Sequence, residues 1–272
     1  MLFRSIGFSA DYYCYSVFCE IGITGVQSNV CPNVTKVSAA VAWAYRHLHG
    51  ELKRAQMFDW DGVNPRPAYL MHGLSLVNND PRAKFVTHLI FNSLALNSHR
   101  FESVADGEKD FTEFYWELVK ALVFNEWVSV ENLNNPKLGI YGPLLRAVSD
   151  PQLFAQELMI YLDHRMARSY RYPFCGEPRK DRRDVNYMPS WPLFGFWHFE
   201  LWTLQAAVKQ TLGIDLNLSV DHPWIQTPFM KNPPAYDFDY EDDLTRRFDD
   251  LCRLHYGKQW QLIEPFELVQ IE

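Results

Sequence analysis

The side chains most capable of chemistry in this sequence are nine histidines, several buried-looking carboxylates and one dense acidic run, and their spacing limits the chemistry open to them. His47 and His49 stand two residues apart, and His198 and Glu200 do the same; on a helix such pairs point to different faces and cannot share a metal ion. No His-Glu-x-x-His run and no repeated Glu-x-x-His pair occurs, so neither a zinc-protease helix nor a di-iron bundle is indicated. The segment DWDGVN at 59–64 puts two carboxylates beside a glycine, but the glycine is misplaced for a calcium loop and the closing glutamate is missing. A phosphate-cradling Gly-Lys loop, a dinucleotide glycine fingerprint and a Gly-x-Ser-x-Gly elbow are all absent from the sequence. These readings assign no catalytic residue, no metal and no cofactor.

Glu200 is the most informative single carboxylate. It lies in FGFWHFELW, among Phe196, Trp197, Phe199 and Trp202, where an ionised group must find a partner to be tolerated. Arg165 and Arg168, on the preceding predicted helix, are the expected partners, which gives Glu200, Arg165 and Trp197 structural roles. The acidic run YDFDYEDDLTRRFDD carries seven carboxylates between Asp237 and Asp250. Asp242 with Arg246, Asp243 with Arg247, Arg246 with Asp250 and Asp249 with Arg253 stand at i, i+4, where they can neutralise one another. Asp237, Asp239 and Glu241 remain uncompensated. With Asp242 and Asp243 they form the expected surface for a basic partner. The basic run EPRKDRRD at 177–184 is largely cancelled by its own acids, and a net charge of −7 argues against a dominant positive field for nucleic acid.

The elements that must position these groups read as helices. Periodic apolar residues predict helices over about 37–57 and 109–130; the Asp-Pro pairs at 80 and 150 open two more, reaching about 99 and 170. A helix over about 193–212 stops at Gly213, and a last one spans about 240–255, with Leu244, Phe248, Leu251, Cys252 and His255 as its expected inner stripe. Prolines at 173, 178, 189 and 192 make 172–192 a long loop. Strand signals are confined to 12–18 and 266–271. The expected fold is therefore all-α, an irregular bundle of about 7–10 helices in two closely packed halves: an N-terminal segment at 1–35, a first helical half at 36–135 and a second at 143–260.

With 272 residues, 47% of them apolar, and 42 aromatics (9 Trp, 14 Tyr, 19 Phe) the chain has ample material for a core. Its five scattered cysteines contain no Cys-x-x-Cys pair, which favours reduced thiols over a disulfide framework or zinc site. Asp11 and Glu20 interrupt the early apolar runs, and no stretch of about 18 apolar residues occurs, so neither a secretory signal nor a membrane span is expected and a cytoplasmic setting is.

One stretch carries a family likeness. The elements YLDHRMARSYRY, then FWHFELWTLQAAVKQTLGID, then DHPWIQTPF resemble, in order and spacing, the C-terminal part of an all-helical bacterial family of immunity proteins that neutralise polymorphic-toxin nucleases, the PoNe-immunity type. Trp197, Phe199, Glu200, Ala206, Ala207, Leu212, Asp215, His222 and Pro223 are the matching positions within residues 144–229. The second acidic residue and the serine expected after Leu-Gly-Ile-Asp are replaced here by Leu-Asn-Leu-Ser. The resemblance implies a non-enzymatic protein whose partner is a cognate toxin, blocked by occlusion of its active site, and leaves self-association into a homodimer open. Two other readings stand beside it: a helical enzyme acting on a glycan through acids such as Glu200, Glu157 or Glu117, and a non-catalytic adaptor subunit.

Overall fold

A computed structural model describes residues 33–58, 66–96, 106–170 and 198–257. The N-terminal segment, the loop at 172–192, Trp197 and both strand signals lie outside these residues. Among the described residues the chain is all-α, 71% helical and without strands. In chain order the helices are α1 (Val34–Phe58), α2 (Arg66–Val77), α3 (Ala83–Leu96), α4 (Asp106–Phe124), the single turn α5 (Val130–Leu133), α6 (Tyr141–Arg146), α7 (Pro151–Tyr170), α8 (Phe199–Leu212), the single turn α9 (Pro228–Lys231) and α10 (Asp243–Tyr256).

The ends of these helices follow local chemistry. Asp150 caps α7, its Oδ1 accepting from the backbone N–H groups of Gln152 (3.0 Å) and Leu153 (3.1 Å). α8 ends at Gly213, whose φ of 70° is the left-handed conformation that glycine adopts without strain. α4 is shorter than its apolar period predicts. Asn125 takes a φ of 55° and breaks the helix, so Val128 is buried from a loop and not from the helix. At Asp80-Pro81 the expected start takes the form of a turn: the Asp80 carboxylate accepts from the Arg82 N–H at 2.9 Å and the Asp80 carbonyl from the Ala83 N–H at 2.9 Å, and α3 begins at Ala83.

Helix α2 has no counterpart in the sequence reading, and its packing supplies the reason. Met71, His72, Leu74 and Ser75 are all buried, on more than one face, so no polar stripe marks a helical period. α2 crosses α8 at very close range at Gly73, where an added Cβ would stand 2.2 Å from the Phe199 carbonyl oxygen. Around this crossing lies a core of Leu48, Met71, Phe114, Tyr115, Leu144, Leu158 and Leu204. Aromatic rings tie α4, α6 and α7 together, with Phe114 stacked on Tyr141 at 4.3 Å and Tyr141 against Tyr161 at 5.3 Å.

A polar thread runs through the same core. Thr87 donates to the Ala83 carbonyl (2.8 Å), so its oxygen is left to accept from Nε2–H of His72 at 2.8 Å. The His72 Nδ1 then faces the Tyr115 hydroxyl at 3.3 Å, and that hydroxyl also meets Thr203 Oγ1 at 2.9 Å. Helices α2, α3, α4 and α8 are thus joined by one hydrogen-bonded chain. Burial pushes the His72 pKa down to about 3, so the imidazole is neutral in the folded protein.

Two outcomes follow. Gly73→Ala forces backbone against backbone at the α2–α8 crossing, and should cost about 1–3 kcal/mol or more of stability in urea unfolding. Because the unfolded chain binds a proton at His72 near pH 6.5 and the folded chain does not until about pH 3, this site's contribution is whole above pH 6.5 and is lost progressively as pH falls below it. Stability should decline by about 1.4 kcal/mol per pH unit for such a group between pH 6 and 4, and the decline should be shallower in His72→Gln.

Candidate functional site

Glu200 sits in the first turn of α8 with no exposed side-chain surface, and Arg165 of α7 is equally sealed. The Arg165 Nη1 is in contact with Glu200 Oε1 and also donates to the Tyr161 hydroxyl at 2.7 Å; Tyr161, one helical turn before Arg165, donates in turn to Glu200 Oε1. Burial holds the Tyr161 phenol well above its ordinary pKa, so it remains a donor. A carboxylate in this position faces a guanidinium and a phenol, which stabilises its charge and fixes α7 against α8.

His198, just before α8, places Nδ1 3.6 Å from Glu200 Oε1. That contact is not an ion pair: burial, and then the positive charge of Arg165, hold the His198 pKa well below its ordinary value. Its ring lies 5.0 Å from that of Trp224. His222, one of the positions in the family likeness, accepts from Trp224 N at Nδ1 (3.3 Å), which puts its proton on Nε2, 3.4 Å from the exposed Asp163. The loop after α8 is therefore folded back on the Glu200 end of the helix. Of the other carboxylates considered for catalysis, Glu117 is buried and held by Lys120 at 2.7 Å and Asn132 at 3.3 Å, while Glu157 is half-buried on α7. Among the described residues no group of three or more His, Cys, Asp or Glu side chains is arranged to hold a metal ion.

The acidic run occupies a different surface. Its stem is fastened at three places to the N-terminal helices. Asn78 donates to the Pro234 carbonyl at 3.1 Å; the Tyr236 hydroxyl donates to Asp80 Oδ2 at 2.7 Å; and Asp237 N–H donates to Ser38 Oγ at 2.8 Å. Asp80 is buried and accepts also from Tyr45 at 3.3 Å and from Arg82, whose Nη2 is 2.9 Å away. Burial, together with this carboxylate, raises the Tyr45 and Tyr236 phenols above their ordinary range, so both stay protonated and donate.

Above this stem Asp237, Asp239 and Glu241 are exposed and make no ion pair among the described residues, and Asp243 is exposed with Arg246 at 2.5 Å. Asp242 is half-buried and caps α10: its Oδ1 accepts from Thr245 N at 2.7 Å while Thr245 Oγ1 accepts from Asp242 N at 2.8 Å, a reciprocal box. Desolvation works against ionisation of Asp242, but the hydrogen bonds from Thr245, Tyr240 and Leu244 outweigh it and hold its pKa below the usual carboxylate value.

Along α10 the pairing differs from the expected i, i+4 ladder. Asp243 pairs with Arg246 and Asp250 with Arg253, both at i, i+3. Asp249 turns inward, where both its oxygens accept from Arg46 of α1, the shortest contact being 2.7 Å. This buried pair rotates the helix. Thr245, Asp249 and Cys252 face the core, Phe248 meets Trp43 edge-on at 5.2 Å, and Leu244 and Leu251, expected inside, are exposed.

Compared with protein-family models, with curated proteins and with solved structures, the chain matches none of them. Among the described residues no helix is long and apolar enough to cross a membrane.

The Glu200–Arg165 pair gives a direct outcome. Removing one partner leaves a buried charge uncompensated, so Arg165→Met and Glu200→Leu should each cost about 3–5 kcal/mol, and the double variant clearly less than their sum. Urea unfolding of the four proteins in that cycle measures the difference.

Proposed function

We propose that this protein is an immunity protein: it binds one cognate bacterial toxin, a nuclease by class, and blocks it by covering the groove that holds the toxin's substrate. The observation that carries this reading is the acidic display of Asp237, Asp239, Glu241 and Asp243 on a stem clamped to Ser38, Asn78 and Asp80. A nuclease groove must be basic to hold phosphates. Carboxylates that are already fixed in place meet such a groove without paying the ordering cost of a loose loop. Opposite charge can raise the encounter rate by about 10–10³ at low salt. The likeness of residues 144–229 to the immunity family supports the same reading. So does the engagement of Glu200 and Glu117 in buried bonds, which suits a scaffold role for the acids that an enzyme would have to use. An adaptor reading shares the binding surface but needs no toxin.

The test is co-expression with the product of the neighbouring gene, where the toxin of an immunity protein is expected to be encoded. Wild type is expected to restore growth and to co-purify with that product. The quadruple change Asp237→Ala, Asp239→Ala, Glu241→Ala and Asp243→Ala is expected to slow association at least tenfold at low salt, with the gap closing as salt screens the charges. Undiminished protection and association by that variant would remove the acidic surface from the reading, and failure of wild type to protect would remove the reading itself.

A further inference from the structure

Helix α10 presents an apolar stripe to solvent. Leu244, Arg247, Leu251 and Leu254 follow i, i+3, i+7 and i+10 and so share one face, opposite the buried Thr245, Asp249 and Cys252. Leu244 is 55% exposed, Leu251 53% and Leu254 84%. A surface leucine alone needs no account, but three in register on one helix, with a lone arginine among them, form a seam. Arg247 makes no ion pair among the described residues, since Asp243, its expected partner, is taken by Arg246.

The charges along this face name the occupant. Arg247 lies within the stripe, and Asp243 and Asp250 flank it on one side, while Arg246 and Arg253 point more than about 100° away from it. An identical helix laid antiparallel, with the two-fold axis between positions 248 and 249, places Arg247 level with Asp250 of the partner subunit, and the symmetry repeats that pair. Leu244 then falls within one residue of Leu254 of the partner subunit. The arginine at the centre of the face thus lies beside an opposite charge on each subunit. A parallel arrangement sets like against like. Asp250 and Asp243 are open to receive such contacts, with side chains 73% and 87% exposed even while bonded to Arg253 and Arg246.

From this we infer that α10 is a self-association face, on which a second copy of this chain docks antiparallel through Leu244, Leu251 and Leu254 with reciprocal Arg247–Asp250 pairs across the two-fold axis. Isologous contact of this kind is the usual route to a two-fold dimer. A helix of 14 residues is about 21 Å long, so the seam covers less than a standard interface of about 1,600 Å² and the dimer is weak and reversible. The inference is independent of the toxin reading; the two surfaces share only Asp243.

Sedimentation equilibrium of the full chain tests it, without any toxin, across about 1 μM to 1 mM protein. Wild type should rise from the monomer mass of 31.9 kDa toward twice that value, and less steeply at high salt. Arg247→Glu and Asp250→Arg should each hold the protein at monomer mass, because each sets like charges together. An equimolar mixture of the two variants should recover association, since each supplies the charge that the other lacks; a folding defect would not be repaired by mixing. Leu254→Asp, at the most exposed position, provides a further monomer. The inference is overturned if wild type stays monomeric throughout, if both charge variants dimerise as wild type does, or if the mixture fails to associate.

Discussion

The buried contact between Glu200 and Arg165 is the constraint around which the described structure is arranged. Two opposite charges withdrawn from water are tolerable only when their geometry is held on every side. Here Tyr161 supplies one bond, and the aromatic neighbours of α4, α6 and α7 supply the walls. Once the start of α8 is set by this pair, Phe199 is set too, and its carbonyl meets α2 at Gly73. The close crossing of α2 and α8 then brings His72, Tyr115 and Thr203 into one polar thread. The pair therefore bridges α7 and α8, and α8 in turn meets the first half at Gly73.

The C-terminal stretch is organised by a different kind of bond. Asp80 and Asp249 are acids turned inward, each answered by an arginine, and each ties the far end of the chain to the first helices. Inward acids at the stem leave the outward ones, Asp237, Asp239 and Glu241, free for solvent or a partner. The division of labour among neighbouring carboxylates is thus positional: identical chemistry serves as rivet or as display according to which way the backbone turns it.

Much of this was legible in the residues themselves. Asp150-Pro151, Gly213 and the apolar period of α1, α4 and α7 encode their helices by local rules that tertiary contacts do not override. Glu200 amid aromatics demands a cation, and of the two candidates on the preceding helix, Arg165 and Arg168, Arg165 is the one in contact with it. What could not be read is equally physical. α2 is buried on several sides and carries no amphipathic signature, so periodicity is silent there. The i, i+4 pairs of α10 were assigned as though the helix were isolated, whereas Arg46, distant in sequence, outcompetes Arg253 for Asp249 and turns the helix. Long-range partners of this type leave no mark in local spacing. No aspartate in the run advertises that it will face inward.

That same clasp has a bearing on how the chain is made. Arg46 and Asp249 are 203 residues apart, so a ribosome adding about 5–20 residues per second needs roughly ten seconds or more after the guanidinium emerges to deliver its carboxylate. Through that interval the nascent first helix lacks the lid that α10 provides over Trp43, and the clasp can close only after α10 itself has been made.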